Sequence, residues 1–276
     1  MNDTQSIQAA KAKAFRKLHD SDETFVIPNP WDVGSAKMLQ SMGFKALATT
    51  SAGHAFSMGL CEGFTTNQDV LEHCFLVSEA TDVPVSADLE MGFGDSPKEA
   101  GETIRLAAPT GIVGASIEDH TGRLTDPIYD FELAVERVAA AVEAARGLDH
   151  DFIITARAEN YLHDRPFLDD TIKRLVAFEE AGADVLFAPG LPDLDAIKEV
   201  CAALKNPVNV VMGLSGKTFT IDELAGAGVK RISVGATFAR LAYGAMFDAV
   251  KEIQTKGTFE FAEKAPGFGD VEALLK

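Results

Sequence analysis

The stretch Ala-Gly-Ala-Asp-Val-Leu-Phe-Ala (181–188) decides the fold. Ala181 and Gly182 read as a helix stop, because glycine takes the left-handed C-terminal conformation without steric cost. Asp184 then leads into Val185, Leu186 and Phe187, a short apolar run of the length and type of a buried strand. Residues 167–181 ahead of it have helical character, so the stretch is the joint at which a helix hands over to the next strand of a β/α repeat.

The same joint recurs along the chain. Strands are predicted at 25–29, 46–51, 84–90, 111–119, 152–159, 183–188, 207–212 and 231–235. Helices are predicted between and after them, at about 31–42, 67–81, 97–109, 130–147, 167–181, 193–204, 220–227 and 236–255. Gly43 and Gly228 repeat the stop seen at Gly182. The strands are almost continuous in apolar or small residues, as parallel strands covered on both faces must be. Eight such units predict an α/β fold of the (β/α)8 barrel type rather than an open nucleotide-binding sheet. No Gly-x-Gly-x-x-Gly follows a strand; Gly92-Phe93-Gly94 is only its first half and is predicted to form a tight loop after the third strand. An amphipathic helix at 5–19 precedes the repeat, and no Ser/Gly/Pro-rich linker interrupts it. One domain over 1–276 is expected, with an N-terminal helix and a C-terminal helical extension.

Composition narrows the function. The 276 residues carry a net charge of −17 with 46% hydrophobic content. That charge excludes a general nucleic-acid or anionic-membrane binder, whose affinity rests on Lys and Arg. It equally serves solubility. A small anionic substrate would then need a local positive site. Cys61, Cys74 and Cys201 form an odd set without Cys-x-x-Cys spacing, so neither a disulfide framework nor a zinc site is indicated. No signal-peptide core and no membrane-length apolar run is present, and a reducing cytoplasm is expected.

Barrel enzymes keep their chemistry at the C-terminal ends of the strands. Asp88 and Glu90 lie two apart at the end of the third strand and share a face. Glu118 ends the fourth strand and could join them around one hard cation, Mg²⁺ or Mn²⁺, directly or through water. Separately solvated acids are the bland alternative. Ser51, Ala52 and Gly53 end the second strand, where small residues would let backbone N–H groups approach an anion; a tight turn would need the same residues. Arg157 closes the fifth strand, as a bidentate clamp for a substrate carboxylate or as an ion-pair partner of Glu118 or Glu159. His54, His120 and His163 fall in predicted loops and Trp31 follows the first strand; packing explains them as well as function does. Lys217 lacks the Gly-x₄-Gly-Lys spacing of a P-loop.

Over nearly its whole length the chain resembles the isocitrate lyase/phosphoenolpyruvate mutase superfamily. The resemblance rests on Thr-Ser-Ala-Gly (50–53), Ala-Asp-Leu-Glu-Met-Gly-Phe-Gly (87–94), Ser-Ile-Glu-Asp (116–119) and Ile-Thr-Ala-Arg (154–157), in that order. It implies a barrel whose eighth helix swaps between subunits, giving a homo-oligomer, a dimer of dimers. It implies Mg²⁺ held by Asp88 directly and by Glu90 and Glu118 largely through water, with Glu90 standing where many members have Asp. It further implies that the amides of Ala52 and Gly53, the Ser51 hydroxyl and Arg157 bind the substrate's oxyanion end. A flexible acidic loop residue of the family corresponds to Glu62. Three departures matter. Isocitrate and 2-methylisocitrate lyases carry a Lys-[Lys/Arg]-Cys-Gly-His loop after the fourth strand, where this chain reads His-Thr-Gly-Arg-Leu-Thr-Asp-Pro (120–127). Their acidic residue after the sixth strand is replaced by Ala188-Pro189, and the mutase group's gating loop and histidine are not evident either.

These readings converge on a Mg²⁺-dependent enzyme that breaks a C–C bond in a small 2-oxo carboxylate such as oxaloacetate. Arg157, Glu62 and Glu118 are the expected catalytic residues, and Ser51, Ala52, Gly53, Asp88 and Arg157 the substrate contacts. Two alternatives stay open: a phosphonopyruvate or carboxyphosphonoenolpyruvate mutase-type P–C enzyme, and a 2-oxo-acid-binding protein with little turnover.

Overall fold

In the computed structural model, which describes residues 3–214 and 216–276, each expected strand forms as a core shorter than its apolar run. They are β1 (Phe25–Ile27), β2 (Leu47–Ala48), β3 (Val85–Asp88), β4 (Gly114–Glu118), β5 (Ile153–Arg157), β6 (Val185–Phe187), β7 (Val208–Val211) and β8 (Arg231–Ser233). All neighbours pair in parallel, in the order β1-β8-β7-β6-β5-β4-β3-β2. The seam between β1 and β2 is bridged where Ala48 N–H donates to Pro28 O at 3.1 Å. Asn29 staples the same seam: its amide donates to Thr49 O, and its Oδ1 accepts from the N–H groups of Val234 and Gly235. The molecule is a (β/α)8 barrel. The strands are short because tilt and stagger leave only their central residues paired, and the residues beyond turn out into the rim.

The helices follow the expected alternation: α1 (Asp3–Asp20), α2 (Val33–Ser41), α3 (Ser51–Ser57), α4 (Asn67–Glu79), α5 (Pro97–Ala107), α6 (Phe131–Arg146), α7 (Leu168–Glu180), α8 (Leu194–Ala203), α9 (Ile221–Gly226), α10 (Thr237–Lys256) and α11 (Phe268–Leu275). Gly43, Gly182 and Gly228 all take positive φ, between 94° and 99°, as the stops require. Helix α3 departs from the sequence reading, which ended the second strand at Ser51 and left 51–53 as an anion-binding strand end or a tight turn. Thr50 caps it, its Oγ1 accepting from Gly53 N–H at 3.4 Å. Gly53 looks like a breaker but is a packing residue: a Cβ there would lie 2.9 Å from Trp31 Cβ and 2.7 Å from Thr50 Cγ2.

The main core lies between the sheet and its helices. A second cluster seals the bottom of the barrel, where Ala12 and Phe15 of α1 pack on Ile27, Val113, Ile153 and Val185. Helix α1 is thus a plug that leaves only the opposite, C-terminal mouth open. At the other end of the chain, α10 buries only Ala239 among its described residues and exposes Leu241, Met246, Phe247 and Val250. Helix α11 folds back on α2, with Lys37 Nζ and Ser41 Oγ donating to the carbonyls of Leu275 and Leu274. Among the described residues no helix is long and apolar enough to cross a membrane.

Candidate active site

Register delivers the site. Asp88 ends β3 opposite Ser116, and Glu118 ends β4 opposite Arg157, two residues farther along, so three of the predicted residues come together at the rim. Arg157 reaches across all of them. Its NH1 lies 3.0 Å from Asp88 Oδ1, and its NH2 lies 3.1 Å from Glu118 Oε2 and 2.8 Å from Glu159 Oε1. Of the two roles read for Arg157, the ion-pair role is the arrangement present, and it includes Asp88 as well as both glutamates.

Asp88 is gripped from the other side by β2 and α3. Ser51 donates to its Oδ2 from the backbone N–H at 3.2 Å and from the hydroxyl at 2.9 Å, and Ser116 Oγ donates to Oδ1 at 3.3 Å. The same Ser51 hydroxyl lies 3.4 Å from Glu62 Oε1, which brings the exposed 58–66 loop to the mouth. Ala52 is buried beside it, and Gly53 N–H is engaged by the Thr50 cap. Glu90 sits two residues past Asp88 in a turn, with φ +49°, and Thr65 Oγ1 donates to its Oε1 at 3.4 Å. The structure therefore gathers Ser51, Glu62, Asp88, Glu90, Glu118 and Arg157 in one cleft.

Arg157 faces five carboxylates there, and the electrostatics register the excess. Burial, followed by Asp88, Glu118 and Glu62, pushes the Glu90 carboxyl up to about 8. Glu62 is raised as well, by burial of its carboxyl and then by Asp88 and Glu118. Burial also raises Glu159, against the pull of Arg157. Among the described residues no three His, Cys, Asp or Glu side chains close into a ready-made metal cage. Surplus negative charge on hard oxygen donors nevertheless fits Mg²⁺ or Mn²⁺, and Mg²⁺ usually keeps several waters rather than filling its shell with protein. Asp88, Glu90 and Glu118 could hold it.

The histidines pair off. His120 and His163 stack at 4.0 Å, with His120 Nδ1 3.6 Å from Glu118 Oε1. His54 lies in α3 rather than a loop and stacks on His73 of α4 at 4.0 Å; burial pushes His73 down to about 3, so that ring is neutral. The segment after β4 is compact: Thr121 N–H donates to Pro127 O at 2.8 Å, and His120 and Ile128 form an antiparallel bridge. It carries no cysteine. Cys74 is pushed up to about 12 by burial and then by Asp88, and Cys201 up to about 11 by burial, so neither supplies a thiolate.

Sequence reasoning passed over Ser116, Thr65 and Arg137. Ser116 and Thr65 gave no signal, since a hydroxyl's partner across strands is unreadable from one chain. Arg137 did give one: it shares the apolar stripe of α6 with Ala134, Val138 and Ala141, where an arginine is out of place unless something buried needs it.

Comparison with known proteins places the fold in a family. Residues 15–254 match the model of the phosphoenolpyruvate phosphomutase family. Over 227 residues the chain is 31% identical to 2-methylisocitrate lyase of Escherichia coli (strain K12), covering 79% of this chain and 75% of that one. A crystal structure from Burkholderia cenocepacia J2315, provisionally described as a lyase/mutase, is 54% identical with a TM-score of 0.95, covering 97% of this chain and 96% of that one. The structure of 2,3-dimethylmalate lyase, a PEP mutase/isocitrate lyase superfamily member, is 26% identical with a TM-score of 0.85, covering 96% and 95%. The family match runs from the plug helix into the last barrel helix and leaves no strand outside it, so the chain belongs to the phosphoenolpyruvate phosphomutase family of the PEP mutase/isocitrate lyase superfamily.

Proposed function

We propose that the protein is a Mg²⁺-dependent carbon–carbon lyase that decarboxylates a small 2-oxo dicarboxylate such as oxaloacetate. The observation that carries this reading is the crowding of Asp88, Glu90, Glu118 and Glu62 about Arg157 at the open mouth of the barrel. Asp88, Glu90 and Glu118 would hold the metal, with Mn²⁺ as the substitute ion. When bound, the cation supplies Lewis-acid polarisation of the 2-oxo group and offsets the negative charge that develops there.

The remaining steps belong to the chain. Arg157 binds the substrate carboxylate and orients it, helped by the Ser51 hydroxyl and the Ala52 amide, and by the Gly53 amide once it exchanges its 3.4 Å contact with Thr50 Oγ1 for the substrate. The bond to the β-carboxylate breaks, CO₂ leaves, and the electron pair stays on the carbon. Glu62, whose carboxyl is raised by burial and then by Asp88 and Glu118, delivers a proton to that carbon and is re-protonated from solvent. Glu118 pairs with Arg157 and keeps the guanidinium in place.

The same pocket supports a second reading, P–C chemistry on phosphonopyruvate, which the phosphomutase family model favours. The deciding experiment follows CO₂ and pyruvate release from oxaloacetate with Mg²⁺ and with EDTA, corrected for the metal-only rate, beside phosphonopyruvate under the same conditions. Metal-dependent turnover of oxaloacetate that is lost in Asp88→Ala is expected. Turnover of phosphonopyruvate alone would replace the C–C assignment. Binding of both without turnover would make the chain a 2-oxo-acid-binding protein.

The apolar face of α10 supports a homotetramer, a dimer of dimers in which this helix crosses to a neighbouring subunit. Phe56, Leu60, Tyr243 and Phe247 line one open apolar groove there. A cytoplasmic location is proposed with it; the buried thiol of Cys74 and the half-buried Cys201 are free.

A further inference from the structure

The turn that carries Glu90 is held in an unfavourable backbone shape by groups outside it. Glu90 and Phe93 have φ of +49° and +51°, a region that ordinary L-residues occupy only under constraint, and Gly92 between them has φ +82°. Such a turn needs something to hold it. Arg137 of α6, 1% exposed, reaches under it. Its NH1 donates to Gly94 O at 2.6 Å and lies 3.5 Å from Ser96 O, while its NH2 donates to Met91 O. No carboxylate pairs with it, and its buried Nε–H has no partner among the described residues. Its guanidinium carbon sits 4.3 Å over the ring of Tyr129, whose hydroxyl donates to Asp95 Oδ1 at 2.6 Å, and Arg123 holds the same carboxylate at 2.9 and 3.0 Å. Thr103 of α5 adds a hydrogen bond to Gly92 O at 2.7 Å.

We infer that Arg137, seated on Tyr129, is a positioning residue that presents the Glu90 carboxylate to the cation. The inference rests on the proposed metal role of Glu90. A buried arginine that commits all of its hydrogen bonds to the carbonyls of residues 91, 94 and 96 sets where the preceding residue points. Without it the positive-φ turn relaxes toward ordinary backbone, and Glu90 moves away from Asp88 and Glu118. Groups that orient a metal ligand typically govern affinity by about 10- to 100-fold.

The test measures Mg²⁺ affinity of the full chain by calorimetry, with amide hydrogen exchange over residues 89–96 recorded on the same variants. Arg137→Met is expected to weaken Mg²⁺ binding by about tenfold or more and to speed exchange in that segment. Arg137→Lys should recover part of both, since an ammonium reaches some of the same carbonyls. A distant core variant, Phe178→Leu, matched for its loss of thermal stability, should change neither. Should Arg137→Met not fold, Arg137→Lys and Tyr129→Phe carry the comparison. A folded Arg137→Met with Mg²⁺ affinity within twofold of the parent and unchanged exchange at 89–96 overturns the inference. If the parent itself binds no Mg²⁺, the metal reading fails, and exchange alone then decides whether Arg137 holds the turn.

Discussion

Glu90 sits half-buried among Asp88, Glu118 and Glu62, and its carboxyl holds a proton up to about pH 8. An exposed glutamate in the unfolded chain releases its proton near pH 4.3. Between those values the folded state binds more protons than the unfolded one, so raising the pH through this window costs stability. The metal-free protein should therefore lose melting temperature as pH rises from about 5 to about 8, and saturating Mg²⁺ should flatten the decline. In EDTA, Glu90→Gln should melt higher than the parent at pH 8 and level with it near pH 4.5; equal melting at both pH values would refute the crowding argument. Two further residues divide the site's duties. Asp88→Ala should abolish calorimetrically detectable Mg²⁺ binding, since Asp88 is the carboxylate that Ser51, Ser116 and Arg157 all orient. Arg157→Ala should weaken oxo-acid affinity by about tenfold or more, the loss of one charge-assisted contact. Unchanged oxo-acid affinity would remove Arg157 from the clamp.

At the scale of elements, α3, α4 and α5 beside the cleft each begin on a side-chain cap, whereas α6, which carries Arg137, does not. Helix α5 follows the Glu90 turn and starts on a reciprocal capping box: Ser96 Oγ accepts from Glu99 N–H, and the Glu99 carboxylate accepts from Ser96 N–H at 2.9 Å. Ser96→Ala should lower unfolding stability by about 1 kcal/mol in urea titration, the usual cost of losing such a cap; a change near zero would mean the turn is held wholly by Arg137 and Thr103. The strands and most helices were legible because their signals are local: an apolar run, a glycine stop, a Ser or Thr cap. Helix α3 was not, because Gly53 reads as a breaker until Trp31 is known to press against it. Among the candidate-site residues, the rim positions of Asp88, Glu118 and Arg157 were legible from strand ends; Glu90 was read on one strand face with Asp88, but β3 stops at Asp88 and Glu90 lies in a turn at φ +49°. The commitment of Arg157 to three carboxylates was not legible, since those partners lie on β3, on β4 and just past β5.

For the whole molecule, the open question is how α10 is covered. Leu241, Met246, Phe247, Val250 and Ile253 are all exposed on one helix, and clustered apolar exposure of this kind marks interaction surfaces. Native mass spectrometry should show four copies as the main species, and Phe247→Glu should shift the protein to smaller assemblies; a monomeric parent would end the swapped-helix proposal.

The sequence by itself determined the barrel, its eight strands, the rim position of the acidic residues and the exclusion of a nucleotide fingerprint. All of these are carried by residues within a few positions of one another, and local backbone preference and burial pattern suffice to read them. Only the tertiary structure decided that Ser51 and Arg157 grip Asp88 from opposite sides, that Glu62 joins the cleft, and that Arg137 reaches from α6 to the carbonyls after Glu90. Those contacts join groups 11 to 69 positions apart, and they exist only once the staggered strands bring the ends of β2, β3, β4 and β5 together at the rim.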